Sequence, residues 1–424
     1  MKQFISTYLL LFACIIVRAQ TLEKIQQPLN YRTYIEWVGN QNLSYAAEKL
    51  NVSIADAEIK AAQIFNDPQL SVEYGYNDDR RMEMGQSVAV GLSKTFSIGK
   101  RSANINLAKS EKSLNEALLT DYFHALRAES TLAYLEAIKQ TELYRVKEDA
   151  YKNIKKLAEG DSIKHTLGKM TKVDAVQSQL EAEMSYNELM QAQTELYNAY
   201  AALALWTGVF SRDTLYLPAG TLLSPARRFD ADKLLETALE NRADLVAALQ
   251  KVDVARKALT VTRRERNMDF DLSAGYNFNT EVRNEIAPAP KFNGITVGIA
   301  IPLKFSNMNK GAVHTAEFQA QQAEINYRQA ELEVQNSVMQ CLRQYLSLSE
   351  QVRRYDNGLL ANAQSVVDGK IYAYDRGETS LLEVLNARRT YDDLRITYTE
   401  TLFNQIAALV ALERNVGIWD ITIE

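Results

Sequence analysis

Residues 69 to 217 and 303 to 424 contain no proline, and this absence limits the possible folds more than any other feature of the chain. Glycine is just as restricted. None occurs in 100–159, 169–207, 221–274, 312–357 or 378–416, stretches rich in Ala, Leu, Glu, Gln, Lys and Arg. Those residues are the strongest helix formers, and proline is what most reliably stops a helix. Five long helices are therefore expected. The stretch from Ser102 to Leu157 alone would span roughly 80 Å at 1.5 Å per residue, a rod rather than a globule. Leu118, Leu119, Tyr122, Leu126, Ala133 and Leu135 form an apolar stripe along it, with Glu111, Lys112, Glu129, Lys139 and Glu142 on other faces. That pattern suits helices packed side by side as an ordinary coiled-coil core.

The chain also repeats itself. Leu167 to Val176 matches Arg376 to Leu385 at an offset of 209, and the same register carries Gly208 onto Gly417 and Ala202-Leu203 onto Ala411-Leu412. Upstream, Gly75-Tyr76-Asn77 recurs as Gly275-Tyr276-Asn277 at offset 200, and Val90-Gly91-Leu92 as Val297-Gly298-Ile299 at offset 207. Each copy reads helix, two strands, long helix, glycine break, long helix. The expected organisation is an N-terminal segment 20–43, a first repeat 44–208, a linker 209–229, a second repeat 230–417 and a tail 418–424. The linker holds Pro218, Gly220 and Pro225, a sustained break between the copies.

Four segments alternate with a period of two, the mark of strands: about 70–77, 86–96, 269–279 and 293–305. Phe270, Leu272, Ala274, Tyr276 and Phe278 alternate with polar or small residues, and Ile295, Val297, Ile299, Ile301, Leu303 and Phe305 do the same. The first copy offers Leu70, Val72, Tyr74 and Tyr76, then Val88, Val90, Leu92 and Phe96, a row that Lys94 interrupts. Alternation alone fits an amphipathic sheet on a soluble core as well as an outer-membrane strand. The count favours the membrane. Four strands leave two open edges, which in hydrocarbon strand backbone groups at several kcal/mol each, so sister chains must complete the wall.

Residues 1–19 read as a cleaved export signal: Lys2, an apolar core from Tyr8 to Val17, then Val17-Arg18-Ala19. The apolar run is about half the roughly 20 residues a membrane anchor needs. A lipobox at Leu11-Phe12-Ala13-Cys14 is the alternative. Cleavage would leave 46 basic and 53 acidic residues, a charge of −7, which disfavours nucleic acid as a partner. It would also leave Cys341 as the sole thiol, so packing rather than an intrachain disulfide must supply stability.

Together the duplication, the four strands and the run Gly377-Glu378-Thr379-Ser380-Leu381-Leu382-Glu383-Val384-Leu385-Asn386-Ala387 resemble the TolC-type outer-membrane efflux proteins over nearly the whole mature chain. Ile98-Gly99-Lys100-Arg101 is similar to a segment of the heavy-metal branch. The resemblance implies a mainly α fold with a small β-barrel part: a homotrimer whose twelve strands form one barrel in outer-membrane lipid, continued by a periplasmic α-helical barrel. It implies a passive duct for drugs or metal ions, working with an inner-membrane pump and a periplasmic adaptor, and needing no catalytic residue or cofactor. It further implies that the glycine breaks at Gly160, Gly168, Gly369 and Gly377 form the periplasmic tip. Gly168, Lys169, Met170, Thr171, Gly377, Glu378, Thr379 and Ser380 are then candidates for adaptor contact.

Without that resemblance the same glycines and hydroxyls serve as helix ends and caps. Asp368 and Asp375, repeated by the trimer, are candidates for a cation-selective ring, against the plainer reading of solvated helix-end acids. Arg263, Arg264 and Arg266 suit a helix C-terminal dipole or, alternatively, membrane phosphates. Chemistry is otherwise sparse. His124, His165 and His314 are too far apart for a local metal motif, no His-Glu-x-x-His or Gly-x-Ser-x-Gly occurs, and the Gly160–Gly168-Lys169 spacing is wrong for a phosphate loop. Met84, Met170, Met184 and Met190 could be soft metal ligands but are better read as helix-core filler. A structural periplasmic coiled-coil spacer or tether is the competing function, and a hydrolase a third that no residue motivates.

Overall fold

The computed structural model describes residues 25–76, 84–209, 214–223, 227–303 and 307–420. The expected signal at 1–19 lies outside them, as do Asn77, most of the tail and parts of the linker. The first half runs β1 (Ile25–Leu29), α1 (Tyr31–Gln41), α2 (Leu43–Ala62), β2 (Gln69–Tyr76), β3 (Gln86–Ser97), α3 (Lys100–Thr166) and α4 (Lys172–Thr207). The second runs β4 (Thr214–Pro218), α5 (Ala231–Asn241), α6 (Ala243–Arg264), β5 (Asp269–Asn279), β6 (Phe292–Ala300), α7 (Lys310–Arg354), α8 (Leu360–Asp375) and α9 (Leu381–Val416). The order of elements is the same in both, except that in the second a 3-10 turn at Asn307–Asn309 precedes α7 and a five-residue π turn at Tyr355–Leu359 divides the second rod into α7 and α8.

Several boundaries differ from expectation. The long helix α3 has 67 residues, roughly 100 Å at 1.5 Å per residue, and runs straight through Gly160. Gly369 likewise sits inside α8. Neither is a break, because one helical glycine costs only about 1 kcal/mol, which the packing of a rod this long easily offsets. The break in the second rod falls at Gly358, whose φ of 104° no other residue type adopts comfortably. The glycine-free stretch 221–274 holds two helices and the start of a strand, not one helix. Strand β6 stops at Ala300 rather than Phe305, since Pro302 has no N–H for the ladder; residues 304–306 lie outside the described set.

Strands β2, β3, β5 and β6 form one antiparallel sheet in that order. Its register aligns residues across all four strands: Val72 with Val90, Tyr276 and Ile295, and Leu70 with Leu92, Ala274 and Val297. The other face aligns Ser71 with Gly91, Gly275 and Thr296. One face is thus apolar and the other small and polar. The apolar face is bare: Val72 is 66% exposed and Ile295 80%. On the polar face hydroxyls fill the places of absent side chains, so that a Cβ on Gly91 would lie 2.7 Å from Ser71 Oγ and one on Gly275 would lie 2.7 Å from Thr296 Oγ1.

A second, parallel sheet pairs β1 with β4 and was not visible in the sequence. Its core holds Leu29, Tyr34, Val38, Leu135, Ile138 and Leu203. The Tyr134 hydroxyl lies 2.7 Å from the Leu29 carbonyl and 2.6 Å from that of Ala219, clasping the ends of both strands against α3. In the second half Tyr345 is equally buried, and its hydroxyl accepts from the Arg227 amide at 3.1 Å. Of the expected stripe on α3, Leu126 and Leu135 are buried while Leu118 remains exposed. Interhelical ion pairs tie the rods along their length, among them Lys147–Glu188 at 2.7 Å, Arg389–Glu181 at 2.7 Å and Arg256–Glu324 at 2.8 Å.

Candidate functional site at the helical tip

Both helical hairpins turn back through the same local geometry. Helix α3 ends at Thr166, Gly168 takes φ 69°, and the Lys169 amide donates to the Lys164 carbonyl at 2.9 Å. In the second hairpin Gly377 takes φ 77° and the Glu378 amide donates to the Ala373 carbonyl at 2.9 Å. These are left-handed helix stops that satisfy otherwise orphaned carbonyls. The next helices are capped alike. Thr171 Oγ1 accepts from the Asp174 amide at 3.2 Å and Ser380 Oγ from the Glu383 amide at 3.4 Å. Thr379 and Lys370 both bind the Glu383 carboxylate. Capping therefore accounts for Gly168, Thr171, Gly377, Thr379 and Ser380 as structure. Lys169 and Glu378 are exposed and, among the described residues, make no ion pair, which leaves them available to a partner.

The two turns are joined by contacts the sequence did not reveal. The buried carboxylate of Asp161 in α3 accepts from the Tyr374 hydroxyl of α8 at 2.9 Å. Lys164, one turn on, reaches Asp375 at 3.1 Å and lies 4.4 Å above the Tyr374 ring. Burial pushes the Asp161 carboxyl above its ordinary value, opposed by the Tyr374 hydrogen bond and the Lys164 charge. Burial also raises the Tyr374 phenol, with the Asp161 carboxylate adding to the effect. Met170 packs against Tyr374, Leu381, Val384 and Leu385, so this methionine is filler. A groove of about 350 Å³ runs beside the junction, lined by Leu157, Gly160, Asp161, Lys164, Asp375 and Arg388. Asp161 and Tyr374 escaped notice because their partners lie 213 residues apart, where no local spacing rule applies.

The proposed acidic pair is unequal. Asp375 is committed to Lys164, whereas Asp368 is exposed and, among the described residues, accepts only from Gln364 of its own helix, at 2.8 Å. The histidines are not brought together. His165 Nδ1 lies 3.1 Å from the Met170 carbonyl, His314 pairs with Glu317 at 3.2 Å, and His124 is half-buried beside Trp419. Among the described residues no three His, Cys, Asp or Glu side chains are grouped to hold a metal. Arg263 pairs with Glu317 at 2.8 Å, a structural role. Among the described residues no helix is long and apolar enough to cross a membrane.

A family model for Outer membrane efflux protein matches residues 234–417. The chain is 25% identical over 381 residues to the cobalt-zinc-cadmium resistance protein CzcC of Cupriavidus metallidurans, covering 89% of this chain and 87% of that protein. Its fold matches a crystal structure of CusC with a TM-score of 0.75 and 18% identity over 92% of each chain. It also matches the Campylobacter jejuni CmeC outer membrane channel with a TM-score of 0.76 and 16% identity, over 91% of this chain and 85% of that one.

Proposed function

We propose that the chain is a TolC-type outer-membrane efflux protein and that three copies, each giving four strands, close one twelve-stranded barrel. It is the outer-membrane channel of a tripartite efflux system, reaching from that membrane into the periplasm. The observation that carries the barrel is the sheet itself: its apolar face is bare, and among the described residues β2 and β6 each have one unpaired edge. Edges like these are stable in hydrocarbon only when paired, and a closed barrel pairs all of them. The small residues and interlocking hydroxyls of the other face suit the inside of a tight curve.

Below the barrel, three copies of two helical hairpins each, one arm of 67 residues returning through 36 and the other of 45, 5 and 16 returning through 36, would form the wall of a tunnel. The matched chain order of the two halves supports two equivalent units, 44–208 and 230–417, joined by 209–229. We place the adaptor contact on Lys169 and Glu378, with energy supplied by an inner-membrane pump. Asp368, repeated threefold and free of ion pairs among the described residues, supplies the charge of a cation-favouring ring; Asp375 contributes less because Lys164 neutralises it. CzcC is by its name a cobalt-zinc-cadmium resistance protein and CusC a cation efflux system protein, which supports divalent metal ions as cargo. The test is metal tolerance. Loss of the gene should sensitise cells to zinc, cobalt or cadmium and re-expression should restore growth; unchanged tolerance to metals with altered tolerance to drugs would move the cargo to organic compounds.

A further inference from the structure

Among the paired residues of the four-stranded sheet, Lys94 is the one charge on the apolar face, in register with Leu272 and Ile299. At offset 207 the second half places Ile301 at the matching position, an ordinary apolar residue, so the lysine is not a requirement of the strand. Its side chain runs to the helix-side end of that face. There Nζ lies 5.8 Å from the centre of the Phe65 ring and 5.7 Å from that of Phe96. The Arg101 guanidinium sits 4.1 Å over the same Phe65 ring, held by Nε and Nη2, which donate to the Gln63 carbonyl at 2.9 and 2.6 Å. Phe96 stacks on Phe270 at 5.3 Å, closing the aromatic floor. Ile64 and Phe65, just past the end of α2, are 68% and 65% exposed.

Counter-ions separate these cations from their neighbour. Lys100, adjacent in sequence, pairs with Asp269, which the register puts on the polar face. Lys94 and Arg101 have no carboxylate within ion-pair distance among the described residues, in a chain whose acids outnumber its bases. A cation on a lipid-facing row is costly at mid-membrane but tolerated at the interface, where a lysine stem lies along apolar surface and its head reaches the polar layer. Aromatic rings favour the same depth.

We propose that Lys94 and Arg101, both lying over the Phe65 ring, bind the phosphate of an anionic phospholipid in the leaflet on the helix side of the barrel, one lipid per chain. The proposal rests on the barrel reading above. Each cation near an anionic surface adds about fivefold to binding, so losing both should weaken the site about 25-fold.

Native mass spectrometry of lipids retained by the trimer, released from nanodiscs of equal phosphatidylglycerol and phosphatidylethanolamine, tests it. The natural chain should retain phosphatidylglycerol above its bulk share. Lys94→Gln with Arg101→Gln should bring the ratio back to bulk, while Lys94→Arg and Lys100→Gln should leave the enrichment intact. Excess inorganic phosphate should not displace the lipid; displacement would overturn the lipid assignment in favour of a small-anion site. Equal enrichment in the double variant would overturn the proposal while leaving the channel standing. A natural chain that inserts in no bilayer would overturn both. Should the double variant not assemble, Lys94→Gln alone must show the same fall in part, and its failure to do so counts against the site.

Discussion

Gly208 and Gly168 share a left-handed φ, 67° and 69°, but their surroundings differ. A Cβ on Gly208 would lie 2.5 Å from the Gln41 carbonyl oxygen, whereas one on Gly168 would meet nothing within 4 Å. Gly168→Ala should therefore cost only the backbone term of about 1–2 kcal/mol, and Gly208→Ala about 2–4 kcal/mol once the clash is added. Thermal midpoints of the two variants should rank in that order. Asp161 gives a pH prediction. Burial holds its folded pKa above its unfolded value, so the protonated form favours the packed tip. Its contribution is fully present below the unfolded value and is lost as pH rises through the folded one. Asp161→Asn should thus increase hydrogen-exchange protection of the tip amides near neutral pH and make little difference in strong acid. Equal effects at both extremes would contradict the assignment. Glycine positions, hydroxyl caps and the Lys94 interruption could be read from the sequence, since each depends on neighbours within a few residues. The Asp161–Tyr374 bond could not.

Elements were legible where a local pattern was long. The rods α3, α4 and α9 and the strands β2, β3 and β5 follow directly from glycine and proline exclusion and from period-two alternation. Gly160 and Gly369 were misplaced as breaks because a glycine's effect depends on whether the chain beyond it must turn, and only Gly168 and Gly377 are followed by a capped helix. The strands β1 and β4 were missed for a different reason. Each has five residues, and their pairing across 189 positions is settled by tertiary packing around Tyr134. At this scale the exposed turn residues are the ones to test. Lys169→Glu with Glu378→Lys breaks no ion pair among the described residues, so trimers should form and the helices should keep their stability, while efflux in cells falls. Undiminished tolerance with both changes would remove the turns from the adaptor contact.

At the scale of the whole molecule, the chain is unfinished in one place. Its helices bury a core of their own around β1 and β4, but among the described residues the four-stranded sheet has an uncovered apolar face and two free edges. That incompleteness was already countable in the sequence, because four alternating segments with no helix to cover them leave few alternatives. The matching order of the two halves was legible from the internal repeat, whereas the full length of the rods was not, because Gly160 does not end α3. Ion flow through the closed particle would then follow its charge: Asp368→Asn should lower cation preference in single-channel records, and unchanged selectivity would take this acid out of the ring. The most direct test is to weigh the detergent-purified particle and record its conductance in a planar lipid film. Three chains per particle and steady ion-conducting steps are expected; a single chain that leaves the film sealed would contradict the account.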